Sequence, residues 1–306
     1  MRLMCLTLLA LLFCSDAIGQ NRQPIRVVVR GVELHYIEQG AGEPLILLHG
    51  GQGDYRSWDS QIEALAPHYR VISYSRRYHF PNNNPLTSHY HSAFTEADDL
   101  VAFIRQLKLK RVHLVGTSIG AFTALVMAVK HPEMVWSMVL AEPPVHDWVE
   151  GTPVGDRLYH EFMTMVQEPA TKAFRRGDDK EAMRIFVDAF GGSGRFDKLP
   201  TDGRGAVMEN ARFFKASLSL DPFPNLSKKK VSRLSMPVLI VTGENTISIH
   251  KLVNEELSRL LPKAEQAVIP NAGHGSPREN PRAFNEVALR FLQLHKHAQL
   301  LGLRKF

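Results

Sequence analysis

Short apolar runs rich in β-branched residues alternate with helix-like stretches along most of this 306-residue chain, and this alternation constrains the fold most strongly. Continuous apolar runs are typical of parallel strands that helices cover on both faces. The pattern therefore predicts an α/β protein with a doubly wound, mostly parallel sheet. The runs span residues 25–30, 32–37, 44–48, 70–74, 111–116, 135–141, 237–243 and 266–269.

The alternation stops between about residues 145 and 235, where helical and polar stretches carry many Met and Phe residues. Because this segment stands between two strands of the same sheet, we predict a helical cap at 145–235, inserted into a core formed by 20–144 and 236–306. Most of the Met and Phe side chains should pack inside the cap. An apolar cap also indicates that the partner is a partly apolar small-molecule substrate.

Residues 1–19 have the pattern of a signal peptide. Arg2 gives a positive start, and the apolar run at 3–13 is too short to span a bilayer as a helix. Ala17 and Gly19 place small residues at the two positions that a signal peptidase reads. We therefore expect cleavage after Gly19 and a secreted or periplasmic protein with no stable membrane span. A buried N-terminal helix is the alternative.

Both cysteines, Cys5 and Cys14, lie in this segment. A lipoprotein anchored at Cys14 is disfavoured because the bulky Phe13 precedes it. After cleavage the chain would contain no cysteine, which excludes a disulfide scaffold, a thiol enzyme and a cysteine-ligated metal site.

The formal net charge is +6, and the basic residues are scattered rather than interleaved with aromatic ones. This pattern indicates a solvated basic surface, so we predict no nucleic-acid partner. The sequence shows no glycine-rich phosphate loop and no pair of histidines at helix spacing beside an acid. We therefore predict neither a cofactor nor a metal.

The sharpest chemical motif is Gly-Thr-Ser-Ile-Gly at 116–120, which follows an apolar run and opens an apolar helix-like stretch. A serine on such a tight strand-to-helix turn projects above the sheet, and the flanking Gly116 and Gly120 leave room for the turn. Ser118 is therefore the predicted nucleophile. The alternative is a glycine-rich turn that only begins a helix.

A serine hydroxyl is a weak nucleophile and needs a base. His274, in Asn-Ala-Gly-His-Gly at 271–275, follows the last apolar run and lies downstream of Ser118. This position makes it the predicted base among the 14 histidines.

A second glycine-rich turn, His-Gly-Gly-Gln-Gly at 49–53, follows the third apolar run. Glycines there let backbone N–H groups approach a substrate oxygen. The Gly51 and Ile119 N–H groups are the predicted oxyanion donors, and His49 is expected to bond within its own loop.

Together these motifs resemble the α/β-hydrolase superfamily, and the resemblance covers residues 25–294. It implies an eight-stranded sheet with a cap over the active site, and an acid that often follows the seventh strand. Thr246 stands at that position here and cannot carry a charge. A subset of the superfamily takes its acid from the end of the sixth strand, where this chain has Glu142. Glu142 is therefore the leading candidate, before Glu244 and Asp147.

The predicted function is a serine hydrolase that cleaves an ester or a lactone through an acyl-enzyme intermediate. The same residues could cleave an amide or an activated carbon–carbon bond. They could also support a cofactor-free perhydrolase or haloperoxidase-like enzyme that uses peroxide as the acyl acceptor. A ligand-binding protein without turnover is the remaining alternative. Family members that use an aspartate nucleophile are disfavoured by Ser118.

Overall fold

The computed structural model describes residues 23–86, 91–217 and 225–296. Over these ranges the chain forms one eight-stranded sheet of order β1-β2-β4-β3-β5-β6-β7-β8. The pairs β1–β2 and β2–β4 are antiparallel, and the others are parallel. The predicted fold class is confirmed. The predicted signal peptide at 1–19 lies outside the described residues.

The strands agree with the apolar runs to within two residues at each end. Their bounds are β1 Ile25–Val29, β2 Val32–Gln39, β3 Pro44–Leu48, β4 Arg70–Ser75, β5 Val112–Thr117, β6 Val135–Ala141, β7 Val238–Gly243 and β8 Glu265–Ile269.

Helices cover both faces of the sheet, as the continuous apolar strands require. Alternate residues of one strand point to opposite faces, so Leu45 and Leu47 pack in one core cluster and Ile46 and Leu48 in the other. The first cluster includes α1 (Asp59–Leu65) and α13 (Pro281–Leu294). The second includes α2 (Ala93–Gln106), α3 (Ile119–Lys130) and α11 (Ser248–Leu260).

Between β6 and β7 the described chain is mainly helical. The helices are α4 Pro153–Phe162, α5 Glu168–Arg175, α6 Asp179–Gly191, α7 Arg195–Lys198, α8 Thr201–Glu209, α9 Ala211–Ser217 and α10 Lys228–Val231, and α12 Ser276–Glu279 follows β8. A separate apolar cluster that contains Phe174, Met183 and Phe196 lies inside this insertion. Met165 is 73% exposed, so the expectation of packing does not hold for every apolar side chain. Among the described residues, we find no helix whose length and hydropathy would let it cross a bilayer.

Candidate active site

The turn around Ser118 joins β5 to α3 with φ 54° and ψ −129° at the serine. A Cβ added at Gly120 would lie 2.2 Å from the Leu48 carbonyl oxygen, and one added at Gly116 would lie 2.7 Å from the Ala121 nitrogen. Both distances are far below a van der Waals contact, so the turn has room only for glycine at these positions. The tight strand-to-helix turn expected from the motif is therefore present.

Glu142 follows β6 directly, and its carboxylate meets the imidazole of His274. The distance from His274 Nδ1 to Glu142 Oε2 is 2.7 Å. Two further groups donate to the carboxylate at 2.7 Å each: the Gly243 N–H to Oε1 and the Thr246 hydroxyl to Oε2. Thr246 therefore holds the carboxylate from the position where the superfamily often has its acid.

Burial on its own raises the pKa of the Glu142 carboxyl, but hydrogen bonds and charge from His250 and His274 outweigh it. The pKa lies well below its usual range, so this side chain is ionised at neutral pH. Glu142 thus presents a buried anion to the imidazole. Ser118 and His274 line the same cavity, but within the described residues no hydrogen bond joins the hydroxyl to the imidazole.

The two other acid candidates have different surroundings. Glu244 Oε2 accepts a hydrogen bond from the Asn271 N–H at 2.8 Å and so supports the loop that carries His274. Asp147 lies in the 3₁₀ helix His146–Val149. Within the residues described, neither carboxylate forms a hydrogen bond with His274. Glu142 is therefore the one of the three candidates that the structure brings to the imidazole.

Hydrogen bonds to the Gly50 carbonyl orient the Gly50–Gly51 peptide. The Gly50 carbonyl accepts from His49 Nδ1 at 2.8 Å and from Arg76 Nη2 at 3.2 Å. In a trans peptide the N–H points away from the carbonyl, so the Gly51 N–H is directed away from these donors. Ile119 begins α3, where backbone N–H groups lack helical acceptors. In the described part of the chain, neither the Gly51 nor the Ile119 N–H has a hydrogen-bond acceptor.

His49 acts in this loop as a neutral side chain. Burial, together with the nearby Arg76 guanidinium, lowers the pKa of His49 to about 3. Its Nε2 accepts from the Arg76 N–H at 3.1 Å, so Nδ1 carries the proton that it donates to Gly50. Arg76 in turn forms a buried ion pair with Glu96. The expectation that His49 bonds within its own loop is confirmed.

A cavity of about 900 Å³ opens above these groups, between the sheet and the insertion. The phenylalanine side chains that line it are Phe162, Phe186, Phe190, Phe213 and Phe214. The Phe190 ring lies 4.8 Å from the ring of His274, measured between centroids. Several Phe side chains of the insertion thus face the site, whereas the sequence predicted packing for most of them.

Two buried histidines, His250 beside Glu142 and His146 beside His250, were not among the residues predicted from the sequence. His250 Nδ1 lies 3.3 Å from Glu142 Oε2. The His250 ring lies 4.1 Å from His274 and 5.2 Å from His146, measured between centroids. No local motif marks these residues. The one sequence feature that could have indicated His250 is its spacing of four residues from Thr246, around the start of α11.

The sequence predicted no metal site because no pair of histidines at helix spacing stands beside an acid. Here Glu142, His250 and His274 come from three distant segments and place possible ligand atoms within 4.8 Å of one another. Both oxygens of Glu142 already accept hydrogen bonds, so a cation would have to replace the contact with His274. We therefore interpret the three side chains as a polar cluster, in which His274 is hydrogen-bonded to Glu142 and His250 makes a longer contact with the same carboxylate.

A sequence model of the family described as alpha/beta hydrolase fold matches residues 43–281. The chain belongs to the α/β-hydrolase fold family. The match covers the sheet from β3 onwards, the insertion and all the residues of the site.

Relatives within the family support a hydrolase. The 2-hydroxy-6-oxononadienedioate/2-hydroxy-6-oxononatrienedioate hydrolase 2 of Pseudomonas putida is 27% identical over 294 residues, which cover 91% of this chain and 98% of that protein. The solved structure of Est816, described as an N-acyl homoserine lactone degrading enzyme, is 26% identical with a TM-score of 0.69 and covers 87% of this chain and 100% of its own. The enol-lactonase from Burkholderia xenovorans LB400 has a TM-score of 0.71 at 19% identity, covers 88% of this chain and 100% of its own, and shows the fold alone.

Proposed function

We propose that this protein is a serine hydrolase that cleaves an ester or a lactone through an acyl-enzyme intermediate. The observation that carries the proposal is the 2.7 Å contact between His274 and the buried Glu142, on the cavity that Ser118 also lines. An ionised acid against Nδ1 fixes the imidazole tautomer that leaves Nε2 free to accept a proton.

The reaction follows from these positions. The Ser118 hydroxyl attacks the substrate carbonyl carbon while His274 Nε2 takes its proton. The Glu142 carboxylate stabilises the imidazolium, and the Gly51 and Ile119 N–H groups stabilise the oxyanion. Return of the proton releases the alcohol, or opens the ring of a lactone. Water then attacks the acyl-enzyme by the same route. Catalytic hydrogen bonds often tighten only with substrate present, so the serine contact is expected to form then.

The substrate class is inferred from the cavity and from the relatives. An aromatic wall favours an apolar acyl group, because burying its surface contributes about 25 cal/mol per Å². Est816, with its lactone-degrading description, supports a lactone or ester carbonyl as the reacting group.

A second candidate is hydrolysis of an activated ketone by the same residues. The Pseudomonas putida relative, named as a hydrolase of oxo-dienedioates, favours it. Such a substrate has a carbon leaving group, which must be protonated as it departs. The ketone substrate would therefore need a conjugated group that stabilises the departing carbon as it is protonated, whereas an ester does not.

A substrate panel tests the proposal and separates the alternatives. It contains p-nitrophenyl esters from acetyl to dodecanoyl, N-acyl lactones, anilides and a vinylogous oxo-dienoate. We expect turnover of esters or lactones that Ser118→Ala abolishes. Turnover confined to the oxo-dienoate would replace the proposal with the second candidate. Peracid formed on addition of peroxide, at a rate above that of hydrolysis, would instead indicate a perhydrolase.

We also propose export of the chain with cleavage after Gly19, on the pattern of residues 1–19. Mass spectrometry of exported protein should give an N-terminus at Gln20. A retained Met1 would contradict this proposal.

A further inference from the structure

The segment after β7 supplies two side chains to one oxygen of the acid. The Thr246 hydroxyl donates to Glu142 Oε2 at 2.7 Å, and His250 Nδ1 lies 3.3 Å from the same atom. Both side chains and the oxygen are buried. The segment that often carries the acid in this fold thus holds a carboxylate that comes from β6.

The chemistry of the contact assigns the proton on His250. The contact at 3.3 Å does not have hydrogen-bond geometry, but an anionic oxygen repels a nitrogen lone pair at this distance, so we expect the ring nitrogen that faces it to carry the hydrogen. Burial, followed by the neighbouring His274, lowers the pKa of His250 to about 4, although Glu142 opposes the shift. Near neutral pH the ring is therefore neutral, with its proton on Nδ1.

A tilted ring contact places His250 against His274 itself. Its ring lies 4.1 Å from that of His274, with 32° between the planes. Phe190 packs on both rings, at 5.6 Å from His250 and 4.8 Å from His274. His146 also stacks on His250, at 5.2 Å between ring centroids. The ionisable groups that face His250 are thus Glu142, His274 and His146, and His250 limits how the base can turn.

We propose that His250 is a positioning residue that shares the Glu142 carboxylate with His274 and so weakens the negative charge that Glu142 presents to the His274 ring. A donor to Oε2 compensates part of the negative charge that stabilises the imidazolium. The imidazolium that forms when His274 takes the proton of Ser118 is then held less strongly. This inference rests on the proposed function.

Two substitutions of His250 separate its polar contact with Glu142 from its packing against His274. His250→Phe keeps a ring against His274 but removes the donor, whereas His250→Asn keeps an N–H near the position of Nδ1. The pH dependence of kcat/KM is measured with the p-nitrophenyl ester that the wild-type protein hydrolyses fastest. Its acidic limb reports the pKa of the free base.

In His250→Phe the uncompensated carboxylate should hold the imidazolium more strongly. We expect the acidic limb to move up by about one pH unit, while kcat above the limb changes by less than about tenfold. His250→Asn should keep the wild-type limb. An unchanged limb in the folded Phe variant, or equal shifts in both variants, would overturn the proposal.

A measurement on the wild-type protein needs neither a folded variant nor a substrate. Nitrogen NMR of isotope-labelled histidine distinguishes the two neutral tautomers. We expect His250 to carry its proton on Nδ1 near neutral pH. A proton on Nε2 would overturn the proposal even if hydrolysis is confirmed. Failure of the substrate panel would leave the tautomer result intact, so failure of this inference and failure of the proposed function can be distinguished.

Discussion

Two residues at the centre of the site hold left-handed backbone conformations. Ser118 has φ 54° and Glu142 has φ 50°. Such conformations cost about 1–3 kcal/mol each and persist only where the surrounding structure imposes them. Both residues follow a strand of the parallel sheet, at the edge where such sheets bind ligands. The site therefore contains stored strain at its proposed nucleophile and at its proposed acid.

The strain at Ser118 predicts a gain in stability on substitution by glycine. Ser118→Gly should unfold with a free energy about 1 kcal/mol higher than Ser118→Ala, because glycine adopts positive φ without a Cβ clash. Urea denaturation of the two inactive variants measures the difference. Equal midpoints, or a less stable glycine variant, would show that the turn is not strained.

The assignment of the acid predicts unequal effects of two Glu→Gln substitutions. Glu142→Gln should lower kcat on the order of 10⁴-fold, because an amide provides no anion and favours the wrong imidazole tautomer. Glu244→Gln is the matched control and should cost less than about tenfold, since its carboxylate accepts from the Asn271 N–H and not from His274 within the described ranges. Steady-state kinetics on one ester decide this. The reverse order of effects would mean that the acid is Glu244.

At this scale the sequence identified residues that stand in local motifs. Ser118 stands between two glycines, and His274 follows the last strand. Glu142 required the resemblance, because Thr246 is at the position that usually carries the acid. His250 could not be found in this way, since its role depends on a ring stack formed by segments that are far apart in sequence.

At the scale of elements, close packing between β3, β5 and α3 fixes the nucleophile turn. The Gly120 position is bounded by backbone atoms of Leu48, which cannot rotate away as a side chain could. The aromatic contacts at Gly51 differ, because a Cβ there would meet side chains of Phe213 and Phe214 at 3.1 Å and 2.9 Å. The neighbours of the site on the strand side are therefore fixed backbone atoms, whereas those on the side of the insertion are side chains that can move.

The packing at Gly120 predicts a severe effect of a single methyl group. Gly120→Ala should lower the free energy of unfolding by about 3 kcal/mol or more, because backbone must move to admit the Cβ. Gly205→Ala, in the exposed part of α8 with no atom within 4 Å of the added Cβ, is the control. It should be neutral or stabilising by up to about 1 kcal/mol. Comparable losses in both variants would contradict this view of the turn.

The strands could be predicted because each is a continuous apolar run, whereas the roles of side chains in the insertion could not. Phe174 and Phe186 belong to the core of the insertion, and Phe186 also lines the cavity. Which phenylalanines face the cavity depends on how short helices pack together, and helical periodicity does not determine that packing. The boundaries of the cap at 145 and 235 stay a prediction.

At the scale of the whole molecule, buried histidines make the fold sensitive to acid. His49 and His250 have pKa values lowered to about 3 and about 4, and burial also lowers those of His79 and His146. The folded protein therefore disfavours protons that the unfolded chain takes up below its histidine pKa of about 6.5. Stability rises with pH wherever the unfolded state binds more protons.

We therefore expect the free energy of unfolding to fall as the pH drops from about 6.5 to about 4. A histidine pKa lowered by two units contributes on the order of 3 kcal/mol to this loss. Urea midpoints at pH 7 and pH 4.5 measure it, and His250→Asn should reduce the difference by removing one such group. A midpoint that does not change between the two pH values would contradict the burial of neutral histidines.

The central claim, that Ser118 is the nucleophile activated by His274, is tested most directly by covalent labelling. The protein is treated with a fluorophosphonate, digested, and the modified peptide is identified by mass spectrometry. We predict one label, on Ser118, with loss of activity in proportion to labelling, and no label in Ser118→Ala. Two results would contradict the account. One is loss of activity that accompanies a label on another residue. The other is a Ser118→Ala variant that takes no label and still hydrolyses esters.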